Sequence, residues 1–370
     1  MKRLSALFLV GVMAISMAAC GQMSGSQESG DPKTENQEAE VQKADSQESD
    51  SQQPDSQESN EQEDTNETYN FKVSITQAPT DPLAAYTQQW MDEVTQKTKG
   101  AVNFEFHPNG ELGTINDVCE QISRGASIIA YAGPDAFSSS APDLAILNSQ
   151  YCLTSADQID AINQSDWFKE QTEKLAQDGN TRILSWNFFT GYRHILSKTP
   201  IETPDDLNGV QIRVADSPAA IAFVKALGCS PVVTNWNEVY SSLSTNIVTA
   251  CEAPLATLYS SSLQEVAQHC TLTNHLVSTG MMVIPEDIFT SMPKEYQDIL
   301  TDAVYQAGVD FTQDSLSSEL EYRKKMEEAG VTFIEPDVNA FAEKASSMYS
   351  SGELPFSDGL YEEIQNIITR

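Results

Sequence analysis

Hydrophobic and polar positions repeat with two different periods in the first part of the folded region. Residues 71–75 alternate apolar and polar side chains, as is typical of a strand. Residues 83–99 carry apolar side chains four positions apart, as is typical of one face of a helix. The same patterns predict two more strands and a short helix, at 102–106, 127–131 and 116–124. The order strand, helix, strand, helix, strand indicates a parallel or mixed α/β sheet.

A second α/β stretch follows further along the chain. Its patterns predict strands at 181–188, 210–214 and 281–284, and helices at 217–227 and 260–268. From residue 294 to about residue 330 the helical pattern is nearly uninterrupted. We therefore predict an α/β protein of two lobes with a long helix across them. Such an arrangement would suit a clamshell that closes on a ligand.

The N-terminus carries a targeting pattern instead of a folded element. Lys2 and Arg3 precede an uncharged apolar stretch, which is too short to be a membrane-spanning helix, and small residues follow it. This pattern predicts a secretory signal peptide over 1–19. Cys20 stands directly after two alanines, which resembles the lipobox of bacterial lipoproteins, where the Cys thiol is acylated. The alternative is an ordinary signal peptide with an incidental cysteine.

Residues 20–68 have the composition of a tether. After Cys20 the stretch holds 14 acidic residues against Lys33 and Lys43, with no aromatic side chain. Such a segment cannot bury enough apolar surface to offset the entropy of ordering, so we expect it to be disordered and extended. It would lift a folded domain off a membrane, with or without a more specific role.

Composition narrows the chemistry further. The formal net charge of −33 disfavours nucleic acid and anionic membrane surfaces as partners. The five cysteines after Cys20 show no CxxC spacing, and the four histidines do not repeat at metal-ligand spacing. We therefore expect free thiols, no metal site and no cofactor. Motifs of the GxSxG, P-loop and GxGxxG types are absent from the sequence, so we do not expect an enzyme.

An ordered set of short motifs begins at residue 107. The set comprises HPNGELG at 107–113, GYRHI at 191–195, PIETPDDLNGVQIRV at 200–214, GCSP at 228–231, WNEVY at 236–240 and TLTNH at 271–275. In order and spacing it resembles the solute-binding subunits of tripartite ATP-independent periplasmic (TRAP) transporters, the DctP-like family. The resemblance covers essentially all of residues 69–340.

The resemblance implies a periplasmic-binding-protein-like clamshell. Lobe 1 would take residues 69–190 and 279–318, and lobe 2 would take residues 191–278 and 319–370. The implied function is capture of a small carboxylate-bearing organic acid and its delivery to a small and a large membrane subunit. Together with the signal peptide and Cys20, this predicts an extracytoplasmic protein anchored to the cell membrane by lipid.

Two arginines are the first candidates for ligand contact. The family usually grips a ligand carboxylate with an arginine on the strand that here contains Arg213. A guanidinium offers a planar fork of donors that fits a carboxylate in two parallel bonds. The alternative for Arg213 is a structural salt bridge. Arg193 matches a position that contacts the carboxylate in some members only, and its alternative is a salt bridge in the hinge region.

Four further residues match positions that line the pocket in relatives. Trp236 would wall in the ligand, unless it is simply a core tryptophan. Gln77 follows the first strand, and Gly133 follows the third, where the missing side chain leaves space. Ala253 replaces an asparagine that often hydrogen-bonds the ligand, so the resemblance does not carry over any one substrate.

Two other functions remain open from the sequence. One is a binding protein that serves an ABC importer or a sensor kinase instead of a TRAP pair. The other is a secreted enzyme, for which the chain shows no supporting motif.

Overall fold

A computed structural model describes residues 67–369. The predicted signal peptide, Cys20 and nearly all of the acidic tether lie outside the described residues. Within residues 67–369, none of the helices combines the length and the apolar character needed to cross a bilayer.

One hydrogen-bonded sheet forms the centre of the described region. Its strands lie in the order β2-β1-β3-β8-β4-β7-β5-β6, with β9 beside β8. Their bounds are β1 Tyr69–Ser74, β2 Val102–His107, β3 Ile128–Ala132, β4 Thr181–Ser197, β5 Gln211–Val214, β6 Ser230–Val233, β7 Ala250–Pro254, β8 His269–Pro285 and β9 Thr332–Ile334.

Helices cover both faces of this sheet. Their bounds are α1 Pro82–Lys97, α2 Ile115–Ser123, α3 Gln158–Gln164, α4 Asp166–Gly179, α5 Pro218–Ala226, α6 Val239–Ser244, α7 Leu255–Ser260, α8 Glu286–Ser291, α9 Lys294–Glu328, α10 Val338–Ala345 and α11 Leu360–Ile368. Local chemistry sets many of their ends. Asp81, for example, caps α1 by accepting a hydrogen bond from the backbone N–H of Leu83.

Strands β4 and β8 run through both lobes as an antiparallel pair of 17 residues each. The first half of β4 and the second half of β8 lie with β1, β2 and β3, whereas their other halves lie with β5, β6, β7 and β9. The strand register shifts between Phe189 and Gly191, where the chain passes from one half to the other. Gly191 has a φ of 120°, which favours glycine, and a Cβ there would lie 3.1 Å from Cβ of Pro254.

Each lobe has hydrophobic clusters on both faces of its part of the sheet. Alternate side chains of β3 enter two different clusters, because successive strand residues point to opposite faces. In the second lobe, Ile195 and Leu196 on β4 divide between two further clusters in the same way. Burying each large apolar side chain contributes roughly 1.5–3 kcal/mol.

Helix α9 spans both lobes, as predicted. Leu300, Val304 and Phe311 pack into a core cluster of the first lobe, and Met326 packs into a core cluster of the second. The predicted α/β architecture with a long helix across two lobes is therefore confirmed.

The structure differs from the local predictions at residues 260–268 and in the extents of β4 and β8. The helix predicted at 260–268 is wrong: α7 ends at Ser260, and Ser262 has a left-handed φ of 57° that breaks the helical path. The strands predicted at 181–188 and 281–284 are parts of the much longer β4 and β8. Helix α11 packs against a core cluster that also contains residues of α2 and β3. The predicted lobe boundaries stay predictions.

Candidate functional site

A cleft of about 670 Å³ lies between the two lobes, a size that suits a small solute. Its walls include residues of β3 to β8, residues that follow β1 and β2, and the start of α2. All six residues singled out in the sequence line it: Gln77, Gly133, Arg193, Arg213, Trp236 and Ala253. The fold thus brings together positions that lie up to 176 residues apart in the chain. Contact of each with a ligand stays a prediction.

Arg213 projects from β5 into the cleft wall. Its strand neighbours Ile212 and Val214 enter a core cluster, so the alternation of the strand sends Arg213 to the opposite face. Its side chain is buried, with 4% of the residue exposed. Its Nε donates a hydrogen bond to the carbonyl oxygen of Thr234 at 2.9 Å, and its guanidinium carbon lies 5.2 Å from the centre of the Trp236 ring.

Among the described residues, the charge of Arg213 has no close counterpart. Within residues 67–369, no carboxylate forms an ion pair with Arg213. The part of its guanidinium that faces the cleft is therefore available to a ligand. Burial lowers the pKa of Arg213 to about 10, although Glu252 acts in the opposite direction. The structure therefore does not support the alternative of a structural salt bridge for this residue.

Arg193 differs, because it is held by a buried carboxylate. Its Nε and Nη2 donate to the two carboxylate oxygens of Glu252 at 2.5 and 2.7 Å, and Nη2 also donates to the carbonyl oxygen of Glu252 at 2.9 Å. His275 lies on the other side, with Nε2 3.1 Å from Glu252 Oε2 and Nδ1 2.8 Å from Thr273 Oγ1. An Nε2–H tautomer that accepts from the Thr273 hydroxyl satisfies both contacts.

The electrostatics of this group follow from its burial and pairing. Burial alone would raise the pKa of Glu252, but the charge of Arg193 and the hydrogen bonds from Arg193 and His275 outweigh it and lower the pKa to about 2. Burial lowers the pKa of His275, against the effect of Glu252. Arg193 thus makes the hinge-region salt bridge considered as its alternative. Its side chain is still 20% exposed and lines the cleft, so ligand contact by its remaining nitrogen stays a prediction.

Three of the predicted residues shape the cleft in different ways. Trp236 is half-buried, packs against a core cluster and donates from Nε1 to Ser261 Oγ at 3.1 Å, so it is both a core residue and a cleft wall. Gln77 lies just beyond β1 at the cleft surface. Ala253 is fully buried in the wall and supplies shape without a hydrogen bond.

Gly133 makes room for polar side chains that we did not predict. A Cβ at this position would lie 2.6 Å from Asp135 Oδ1 and 3.4 Å from Asn148 Nδ2. The space that we expected for a ligand or water is therefore taken by Asp135 and Asn148, which line the cleft themselves. Asp135 follows Gly133 by only two residues, but nothing in its local pattern marks it. His275 ends the TLTNH motif and Glu252 directly precedes Ala253, but only the fold shows that they meet at Arg193.

Contacts between the lobes hold them together on both sides of the cleft. Asn116 Nδ2 donates to Asp216 Oδ2 at 3.4 Å near its mouth. On the side facing α9, the hydroxyls of Thr257 and Ser260 each donate to the buried carboxylate of Asp81 at 3.2 Å. Burial raises the pKa of Asp81.

A smaller cavity of about 390 Å³ lies beside α9 and, unlike the cleft, is lined by acidic side chains without basic ones among the described residues. Its lining includes Asp81, Asp314, Glu319 and Glu321 but no lysine or arginine among the described residues. It cannot hold a carboxylate by an ion pair. Within residues 67–369, no group of three His, Cys, Asp or Glu side chains is placed to hold a metal ion, and the five cysteines there are buried and form no disulfide.

Comparison with known proteins gives this geometry its family context. The family model described as bacterial extracellular solute-binding protein, family 7 (DctP), matches residues 73–353. The chain belongs to this family. The sialic acid-binding periplasmic protein SiaP of Vibrio cholerae is 25% identical over 258 residues, which cover 70% of this chain and 80% of SiaP.

Two solved structures of similar proteins share the fold. A TRAP periplasmic solute-binding protein from Actinobacillus succinogenes with bound L-galactonate has a TM-score of 0.78 and 29% identity, and the match covers 81% of this chain and 99% of that one. A TRAP periplasmic solute-binding protein from Ochrobacterium anthropi with bound L-fuconate has a TM-score of 0.77 and 28% identity, with the same coverage. The predicted family and its two-lobed fold are confirmed.

Proposed function

We propose that this protein captures a small organic acid in the cleft between its lobes and delivers it to the membrane subunits of a TRAP transporter. The ligand carboxylate pairs with Arg213. The observation that carries the proposal is a buried guanidinium that lines the cleft and has no ion-pair partner within the described residues.

A buried charge without a partner is unfavourable, and a ligand carboxylate would relieve that cost. The guanidinium of Arg213 is oriented before the ligand arrives, because Thr234 holds its Nε and the Trp236 ring lies against its plane. Preorganisation of this kind increases affinity by reducing the entropy lost on binding. Arg193, oriented by Glu252, offers its remaining nitrogen from the neighbouring wall.

The relatives support a carboxylate as the ligand class. Sialic acid, L-galactonate and L-fuconate, the compounds named for the three relatives above, all carry one carboxylate. Identity near 25–29% does not transfer any one of them to this chain, and Ala253 removes a hydrogen-bonding side chain that many relatives have. No catalytic step forms part of the proposal.

The proposal includes attachment to the outer face of the cell membrane. Support comes from the N-terminal sequence, where Cys20 follows an apolar segment and precedes an acidic tether. Cells grown with a labelled palmitate analogue should incorporate the label into the wild-type protein and not into Cys20→Ser. Label that persists in the variant would contradict lipid attachment at this residue.

Titration calorimetry tests ligand capture directly. Sugar acids, short dicarboxylates, amino acids and neutral sugars are titrated into the purified protein, and thermal unfolding is followed with each compound. Binding to the folded state alone raises the apparent unfolding temperature by mass action. We expect heats and thermal shifts with carboxylates only. Equal binding of a neutral sugar would contradict the role of Arg213.

A further inference from the structure

Asp135 places a carboxylate in the wall of a cleft that we propose to receive an anion. It lies in a short 3-10 turn, Pro134–Phe137, directly after β3. Its Oδ1 accepts a hydrogen bond from Asn148 Nδ2 at 2.6 Å, and both side chains line the cleft. In the part of the chain that the structure describes, no lysine or arginine lies within ion-pair distance of Asp135, although the charge of Arg193 acts on it from further away.

The space for this carboxylate depends on Gly133. The φ of Gly133 is −69°, which any residue can adopt, so the backbone does not require glycine there. A Cβ would instead collide with the Asp135 carboxylate, at 2.6 Å from Oδ1. The missing side chain therefore keeps Asp135 and Asn148 in their position at the cleft.

The charged side chains around the cleft favour a ligand with a single carboxylate. The charge of Arg193 is balanced by Glu252, so only Arg213 is left to pair with a ligand. Asp135 stands apart from that pairing, and Asp216 and Glu238 also line the cleft. A ligand with a second carboxylate would place it near these acidic groups, and like charges brought together disfavour binding.

Burial raises the pKa of Asp135, whereas hydrogen bonds to its carboxylate and the charge of Arg193 act to lower it. When it is ionised, this carboxylate can only accept hydrogen bonds. A ligand hydroxyl suits it as a donor, because a hydrogen bond to a charged acceptor is stronger than one between neutral groups. A ligand ammonium would also donate to this carboxylate, and binding of an amino acid distinguishes the two cases. The Asn148 amide and the Thr190 hydroxyl add polar groups that suit further hydroxyls.

We propose that Asp135 is a specificity-determining residue that accepts a hydrogen bond from a ligand hydroxyl, so that the cleft binds polyhydroxylated monocarboxylates and rejects dicarboxylates. This inference rests on the proposed function, because it requires the ligand carboxylate at Arg213.

The test compares two ligands that differ only at one end. L-Galactonate ends in a hydroxymethyl group where galactarate ends in a second carboxylate, and D-gluconate with glucarate gives a second matched pair. Titration calorimetry is run on the wild type, on Asp135→Asn and on Asp302→Asn, an exposed residue of α9 outside the cleft. Serine is included as a small acid that carries an ammonium group.

We expect the wild type to bind at least one hydroxy monoacid about 100-fold more tightly than its matched diacid, since like charges across a binding site disfavour the diacid. Asp135→Asn keeps an oxygen that accepts from a hydroxyl but removes the charge. It should reduce the preference at least about tenfold, mainly through gained affinity for the diacid. Asp302→Asn should leave the preference unchanged. Gly133→Ala, which displaces Asp135 without removing its charge, should weaken binding of the hydroxy monoacid.

Other outcomes would overturn the inference. Equal binding of a matched pair by the wild type, an unchanged preference in folded Asp135→Asn, or tighter binding of serine than of any hydroxy acid would each do so. These results leave the proposed function intact if binding still depends on Arg213. If no carboxylate binds, or if Arg213→Gln binds like the wild type, the proposed function fails, and the inference fails with it.

Discussion

Two arginines line the same cleft, and they differ in what balances their charge. Arg193 lies against Glu252, which His275 contacts from the other side, so this corner of the cleft is neutralised from within the protein. Arg213 lies against the Trp236 ring and a backbone carbonyl, and no carboxylate of residues 67–369 pairs with it. Arg193 and Arg213 thus present the same guanidinium group to the cleft, but only the charge of Arg193 is balanced within the described residues.

The difference indicates that Arg193 serves stability and Arg213 serves ligand binding. A charge that is paired inside the protein fixes local structure and contributes to stability, because breaking the pair would leave one charge buried alone. A charge left without a partner reduces stability somewhat and is compensated when a ligand binds. We therefore expect changes at the Glu252 corner to affect folding and changes at the Arg213 corner to affect binding. The following variants would break or sharpen this contrast.

Glu252→Gln should have the largest effect on stability. It leaves Arg193 buried without its counter-charge, and losing one partner of a buried pair costs about 3–5 kcal/mol. Urea unfolding at pH 7 measures the loss. Glu286→Gln is the matched control, because Glu286 pairs with Arg182 at a much more exposed site, where about 0–1 kcal/mol is expected. Equal losses in the two variants would remove the contrast between a buried and an exposed pair.

Arg213→Gln should affect binding instead of folding. The loss of a ligand's buried charge partner should weaken carboxylate binding by about 2–5 kcal/mol, as measured by calorimetry. Without ligand, the stability should change by no more than about 1 kcal/mol, the contribution of an ordinary hydrogen bond such as that to Thr234. Arg124→Gln, on the exposed surface, is the control. A variant that is much less stable than the wild type without ligand would place Arg213 among the structural arginines.

Low pH should remove part of the stabilisation that Glu252 gives the folded state. Its pKa falls from an ordinary 4.5 to about 2 in the folded protein, so the folded state binds fewer protons between these values than the unfolded state. The stabilisation is therefore complete above pH 4.5 and is lost as the pH falls towards 2. The difference in unfolding free energy between the wild type and Glu252→Gln should narrow below pH 4.5. A difference that stays constant down to pH 3 would contradict the lowered pKa.

Trp236→Leu should have the smallest effect. It removes the ring that lies against the Arg213 guanidinium, and such a cation–π contact is worth about 0.5–2 kcal/mol. Carboxylate affinity should fall by a corresponding amount, and Trp236→Phe, which keeps a ring, should lose less. Calorimetry on both variants measures the difference. Equal losses for leucine and phenylalanine would indicate that Trp236 acts through cleft shape alone.

Much of the local structure could be predicted from the chain. The period-2 pattern near residue 71 and the helical spacing near residue 90 predicted β1 and α1 to within two residues at either end. The lengths of β4 and β8 could not be predicted, because Thr190 and Gly191 interrupt the apolar run of β4, and Ser278, Thr279 and Gly280 interrupt that of β8. Those strands extend through the interruption because they pair with each other, which is a long-range effect.

The candidate site shows the same limit at the level of single residues. Arg213 could be placed on the cleft side of its strand, because alternation with Ile212 and Val214 is a local property. Asp135 could not be found, because its importance depends on Gly133 leaving space and on Asn148 reaching it from another element. For Arg193 the sequence left two roles open, and the position of Glu252 shows that the salt bridge is formed.

The sequence by itself determined the family, the α/β class and six of the residues that meet in the cleft. These follow from the periodicity of apolar residues and from short motifs, whose order and spacing can be read from one sequence. Only the tertiary structure decided which arginine is neutralised and which is left for a ligand. That outcome depends on distances between side chains of β4, β5, β7 and β8, and electrostatic interactions in a buried site are set by such distances and by the exclusion of water.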